Sequence, residues 1–297
     1  MTTATSTGTP PTSHRLPAAT QPGHIHLQVT DLERSLDWYT RTLGLRVAER
    51  RDGTATLTDQ AGTATLAQLS ERPGASTAQR RLGLYHFALL LPDRADLGAF
   101  LRHLYVQGER VGTADHLVSE ALYLNDPDGL GIEVYADRPR ATWQVTDGEI
   151  AMDTRPLDQH GLARAALDNA WNGMPAGTTM GHVHLHVADL ERAAAFYHQA
   201  LGLDRVVWSY PGALFLSAGG YHHHLGLNTW AGNTEPAHDN EARLLEWSLV
   251  LPTQDDVKTA ATSLRDAGFT VTEDGDAALA TDPWGTTLRL VPFDKRG

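Results

Sequence analysis

The chain has 297 residues, of which 41% are hydrophobic and 20% charged, enough for two ordinary globular domains with a core in each. Lys and Arg total 24 against 36 Asp and Glu, a formal charge of −12, so the average field repels nucleic acid and anionic membranes and points to small-molecule partners. No cysteine is present, which excludes disulfides, thiolate metal sites, iron–sulfur clusters and a Cys nucleophile, and leaves any metal to His and carboxylates.

The first twenty residues hold seven Thr with scattered Ala and Pro and no continuous apolar core. Residues 1–21 therefore read as a disordered tail rather than a secretory signal. The longest apolar runs, such as FALLLP at 87–92, are too short to cross a bilayer, and a cytoplasmic location is the expectation.

Two segments nearly copy one another, GHIHLQVTDLERSLDWYTRTLGL at 23–45 and GHVHLHVADLERAAAFYHQALGL at 181–203. Later landmarks follow in step: LLLP at 89–92 with LVLP at 249–252, and DPDG at 126–129 with DPWG at 282–285. The repeat divides the chain into a first domain at 22–140, a linker at 141–178 with a short helix in LARAALDNAW, and a second domain at 179–297.

Within the first copy, the alternation from His24 to Val29 predicts a strand with one apolar and one polar face. A helix follows, capped by Asp31, with Leu36, Tyr39 and Leu43 as its apolar stripe and Gly44 closing it. Short β segments come next, including TATLTDQAGTATLAQL at 54–69. A second strand–helix unit runs from LYHFALLLP through DRADLGAFLRHLYVQG to the strands LVSEALYLND and GIEVYA. The expected class is α+β: two tandem domains, each of paired βαβββ modules forming a curled mixed or antiparallel sheet cup.

Polar strand faces carry the candidate chemistry. His24 and His26 share one face of the first strand, His86 lies on the opening strand of the second module, and Glu133 interrupts a β-branched strand, where burial is costly without a cation. If the sheet curls into a cup, His24, His86 and Glu133 converge. Two imidazoles and a carboxylate suit non-haem Fe(II), with Mn(II), Co(II) or Zn(II) as alternatives. No GxSxG elbow and no GxGxxG or GxxxxGK[ST] phosphate loop is present. The seven Trp residues read as core or interface anchors.

The paired modules, the strand–DLERS–FY–LGL pattern and the DPDG–IE ending resemble the vicinal oxygen chelate superfamily, which includes glyoxalase I, bleomycin- and fosfomycin-resistance proteins and type I extradiol dioxygenases. The stretch DHLVSEALYLNDPDGLGIEVY at 115–135 is most similar to catechol 2,3-dioxygenases. That resemblance implies His24, His86 and Glu133 as Fe(II) ligands, His116 as acid–base group beside the metal and Tyr123 as a hydrogen-bond partner of the substrate. It further implies a catechol-type diol and O2 as the reacting partners, and association into homo-oligomers. Glyoxalase-like lyase or isomerase chemistry on Zn(II) or Ni(II), or metal-free drug binding, are the alternatives.

In the second copy, Arg289 stands where the repeat places the counterpart of Glu133, and Glu246 stands opposite His86. The copied site is broken. That half nevertheless keeps His182, His184 and His186 and adds GGYHHHLGLNTW at 219–230, so His182, His224 and Glu246 form an alternative site.

Overall fold

The computed structural model describes residues 7–293. Four βαβββ modules follow one another. The first comprises β1 (Gln21–Val29), α1 (Leu32–Arg41), β2 (Arg46–Arg51), β3 (Thr54–Thr58) and β4 (Thr65–Glu71). The second comprises β5 (Gly83–Leu90), α2 (Arg94–Gln107), β6 (Gly112–Asp115), β7 (Ser119–Asn125) and β8 (Gly131–Asp137). A connector carries a small hairpin, β9 (Val145–Thr146) and β10 (Glu149–Ile150), and helix α3 (Gln159–Ala165).

The third module comprises β11 (Thr179–His186), α4 (Leu190–Ala194) running into a π-helical stretch (Ala195–Ala200), β12 (Asp204–Val207), β13 (Ala213–Ser217) and β14 (Leu225–Asn228). The fourth holds β15 (Arg243–Leu251), α5 (Gln254–Asp266), β16 (Val271–Asp274), β17 (Ala277–Thr281) and β18 (Thr287–Pro292).

Local chemistry sets these boundaries. Asp31 and Asp93 accept from the main-chain N–H groups of Arg34 and Asp96 at the starts of α1 and α2. Thr253 and Asp256 form a reciprocal capping box on α5. Gly108 ends α2 with φ +72°, a left-handed conformation that costs glycine little.

The strands assemble into two curled eight-stranded sheets, and each sheet takes one module from either half of the chain. The first has the order β12-β13-β14-β11-β5-β8-β7-β6, joined at its centre by antiparallel β11 and β5. The second has the order β16-β17-β18-β15-β1-β4-β3-β2, joined by antiparallel β1 and β15. The expected modules thus form and pair, but the second pairs with the third and the first with the fourth. The cups cut across the division at 141–178.

Residues 7–20, expected as tail, are ordered against the third module. Thr9 bridges to Arg205, Leu16 is buried with its N–H on the Gly202 carbonyl, and Arg15 holds the buried Asp204 carboxylate through two hydrogen bonds of 2.8 and 2.6 Å. An ion pair and strand bridging outweigh the polar composition here. Residues 1–6 of the expected tail, and 294–297 of the second domain, lie outside the described residues. The linker helix begins three residues earlier than LARAALDNAW, because Asp158 caps it through the Gly161 N–H. It packs on α2 at Gly98, where any Cβ would come within 2.3 Å of the Leu162 carbonyl. None of the described helices is long and apolar enough to cross a membrane.

Candidate metal centre

Period-two alternation sorts the strand residues of the first sheet onto two faces. Phe87 and Leu89 of β5, Ile132 and Val134 of β8, and Val183 and Leu185 of β11 join the main hydrophobic core. The residues between them, His86, Glu133, His182 and His184, are buried on the other face and line a cavity of about 290 Å³. Gly226 on β14 keeps the floor of this cup open, because a Cβ there would lie 2.8 Å from the His184 ring.

His86, Glu133 and His182 each present one ligand-type atom, all within 4.8 Å of one another; among the described residues they form the one such group. His182 Nε2 lies 3.2 Å and His86 Nε2 3.1 Å from the same carboxylate oxygen, Glu133 Oε2. The His86 contact lacks hydrogen-bond alignment, and its buried Nε2 has no other partner. Burial pushes the Glu133 carboxyl up, but His182 and His86 beside it hold it well below the usual range. Burial, opposed by Glu133, drives His182 down to about 4, so its imidazole is neutral and able to ligate. Three converging buried donors, one of them orphaned, with two neutral-capable imidazoles and a carboxylate, fit a divalent transition metal.

Tyr123 sits directly opposite Glu133 across the β7–β8 ladder, so the ten-residue spacing across the DPDG turn does place both on one face. Its hydroxyl is 2.6 Å from His116 Nε2, and His116 Nδ1 donates to the Asp153 carbonyl at 2.8 Å. Burial, reinforced by Glu133, raises the Tyr123 phenol well above its ordinary value, which keeps it a proton donor. The turn that delivers His116 contains Leu117 at φ +70°, a strained conformation for a branched side chain, stabilised by the Asp115 carboxylate accepting from the Leu117 N–H.

His24 does not join His86 and Glu133. It lies on β1 in the other sheet, where its N–H donates to Ser248 Oγ at 2.8 Å, because the first module pairs with the fourth. His182 on β11 takes the position expected of it. The alternative trio is also dispersed. Only His182 faces the cavity, His224 Nδ1 accepts from the Ala218 N–H at 3.2 Å, and Glu246 is held in the other sheet by Arg289 at 2.8 and 3.2 Å. In register, His24, Glu246 and Arg289 are the counterparts of His182, His86 and Glu133. An internal ion pair thus fills the second cup where the first gathers ligands.

Further cavity residues went unrecognised in the sequence. His223 packs against His182 with ring centroids 4.0 Å apart and the planes tilted by 43°, its Nδ1 lies 2.8 Å from His222 Nδ1, and His222 Nε2 lies 2.8 Å from Asp137 Oδ1. The Asp137 carboxylate can only accept, so it selects His222 protonated at Nε2; His222 Nδ1 then accepts from His223 Nδ1–H, and His223 Nε2 keeps its lone pair. Phe215, Tyr210, Trp230 and Tyr85 form an aromatic wall. The stretch GGYHHHLGLNTW carries the signal for His223, but the expected ligand there is His224, whose Nδ1 instead accepts from the Ala218 N–H.

A family model described as the glyoxalase/bleomycin resistance protein/dioxygenase superfamily matches residues 21–134 and 179–290, covering both sets of modules. The chain belongs to that superfamily. It is 46% identical over 267 residues to a catechol-2,3-dioxygenase of Bacillus subtilis, covering 88% of this chain and 93% of that one. Among solved structures, a putative dioxygenase of B. subtilis superposes with TM-score 0.64 at 15% identity, covering 96% of this chain and 87% of that one. Glyoxalase I from Zea mays superposes with TM-score 0.56 at 18% identity, covering 92% of each. The last two likenesses are of fold, and superfamily membership accounts for the four modules and the two cups.

Proposed function

We propose that the protein is a type I extradiol dioxygenase that opens the ring of a catechol with O2, using a divalent ion, Fe(II), held by His86, Glu133 and His182. The carrying observation is the convergence of these three buried donors at the floor of a cavity whose sides hold His116, Tyr123 and His223. The 46% identical catechol-2,3-dioxygenase supports the same reaction class. A cytoplasmic location completes this reading.

When bound, the ion supplies a Lewis-acid and electron-transfer centre at which diol and O2 meet. The chain's own groups handle protons and orientation. His116 donates through Nδ1 to a carbonyl and so presents Nε2 as an acceptor to Tyr123. With its proton directed at His116, the Tyr123 oxygen offers a lone pair to a substrate hydroxyl. A proton leaving that hydroxyl passes to Tyr123 as the Tyr123 proton moves to His116 Nε2.

Across the cavity, burial and the neighbouring histidines hold His223 well below the usual imidazole range, so it is a neutral base at pH 7. The Asp137–His222 pair leaves its Nε2 free to take or return a second proton. The aromatic wall offers the substrate ring an apolar face.

Anaerobic purification, metal analysis and oxygen uptake with catechol test the proposal. Ring cleavage consumes one O2 per catechol and yields a yellow ring-opened product. A protein loaded with Fe(II) that consumes no oxygen with catechol refutes it.

A further inference from the structure

We infer that Asn228 is a positioning residue that keeps His184 off the metal: it fixes that imidazole with its proton on Nδ1, so His184 faces the cavity as a hydrogen-bond donor and not as a fourth ligand. This inference rests on the ligand assignment in the reading above.

His184 is otherwise well placed to ligate. It stands directly opposite His86 across the antiparallel β11–β5 pair, and the two ring centroids lie 4.9 Å apart. It follows His182 by two residues and shares its face of the strand. The side chain is buried and lines the same cavity as the three proposed ligands. Four protein donors close a site, as in structural zinc centres, whereas a catalytic ion keeps positions open for its reactants.

Asn228, buried at the end of β14, decides between the two. The Trp230 N–H donates to Asn228 Oδ1 at 3.0 Å, and a main-chain N–H can only donate, so the amide is held with its oxygen towards Trp230. His186 Nδ1 donates to the same oxygen at 2.7 Å. The amide nitrogen, Nδ2, therefore donates to His184 Nε2 at 2.9 Å. A ring nitrogen that accepts carries no proton, which leaves the proton of His184 on Nδ1. With one nitrogen taken up by the amide and the other bearing hydrogen, the ring has no lone pair for an ion. In keeping with this, His184 is not among the donors that converge within 4.8 Å.

Asn228→Asp tests the inference, because it exchanges the donating Nδ2 for an acceptor of nearly the same shape. In the metal-free native protein, nitrogen NMR of the histidine rings should show His184 protonated at Nδ1 and bare at Nε2. The variant should reverse that tautomer and free Nδ1 to ligate. We expect its Zn(II) affinity, measured by competition with a chelator, to rise about tenfold or more, and kcat/KM for catechol on the Fe(II)-loaded protein to fall by about tenfold. Pulsed EPR of the Cu(II)-loaded protein should count three imidazoles where the native protein has two. Adding His184→Leu to Asn228→Asp should cancel the gain in affinity, which separates ligation from the added charge.

A native His184 protonated at Nε2 overturns the inference. So does a gain in affinity that survives His184→Leu, or a variant whose Zn(II) affinity and imidazole count match the native values. The NMR, Zn(II) and Cu(II) readouts use neither diol nor O2. If they come out as expected while no diol supports oxygen uptake, the extradiol reading falls and the role of Asn228 stands.

Discussion

Arg289 and Glu133 occupy equivalent register positions in the two sheets and carry opposite charges. Arg289 faces Ser248 across β15 and β18, as Glu133 faces Ala88 across β5 and β8. One cup therefore supplies its own cation, and the other is left with a buried anion between two imidazoles.

The first expectation is a stoichiometry of one divalent ion per chain. Glu133→Gln keeps the shape but removes the anionic ligand, and should lower metal content to below about a tenth of the native level, as measured by elemental analysis after dialysis. Retention of a full complement would place the ion elsewhere.

His24 and His182 are sequence counterparts in different sheets, which makes them a matched pair of tests. His182→Ala should abolish metal retention and cut kcat/KM by about 1000-fold or more. His24→Ala should leave both within twofold. The reverse outcome would mean that the first and second modules share the active cup.

Asp137 touches no ligand-type atom of the metal group, yet it selects the tautomer of His222 and through it that of His223. Asp137→Asn retains a hydrogen-bond acceptor but can present an N–H instead, which disorders that choice. Expected are full metal content and a kcat reduced about 10- to 100-fold, with KM little changed. An unchanged kcat would remove the relay from the mechanism.

Removal of Arg289 leaves Glu246 without its bidentate partner on a mostly buried strand face. Arg289→Ala should cost about 1–3 kcal/mol in denaturant unfolding with no loss of bound metal. Loss of metal without loss of stability would contradict the separation of the two cups.

Asp126 contributes a pH dependence to stability. Burial, with Asp128 adding to it, pushes its carboxyl from 3.8 up to about 7, against the hydrogen bonds from the Leu130 and Asp128 N–H groups and the Tyr39 hydroxyl. A carboxyl raised in the folded state binds more protons there than in the unfolded chain, so its contribution is fully present below about pH 4 and is lost as pH rises to about 7. Asp126→Asn should flatten that part of the profile, measured as unfolding free energy between pH 5 and 8. A variant whose profile matches the parent's would show that Asp126 is already ionised in the folded protein.

The modules were legible because each depends on short-range pattern. Asp31 as a cap, the alternation around Ile132 and Val134, and the spacing of Tyr123 to Glu133 across a turn are all set within a few residues. Which module pairs with which was not legible, because His24 and His182 lie in nearly identical strands and only tertiary packing distinguishes β1 from β11 as the partner of β5. The broken pair Glu246 and Arg289 offered a clue, since a ligand-rich second module and a His-rich third module complete one another. Residues 7–20 escaped recognition because one ion pair, Arg15 with Asp204, and one buried Leu16 leave little periodic trace.

Because β5 and β8 come from one half of the chain and β11 from the other, neither half alone carries the three proposed ligands His86, Glu133 and His182. Cutting the polypeptide in the connector would silence both fragments, and mixing them should restore turnover through the β5–β11 and β1–β15 seams. The two halves share two borders, so one sheet can hold the Glu246–Arg289 ion pair while the other holds the proposed ligands, with each half contributing to both.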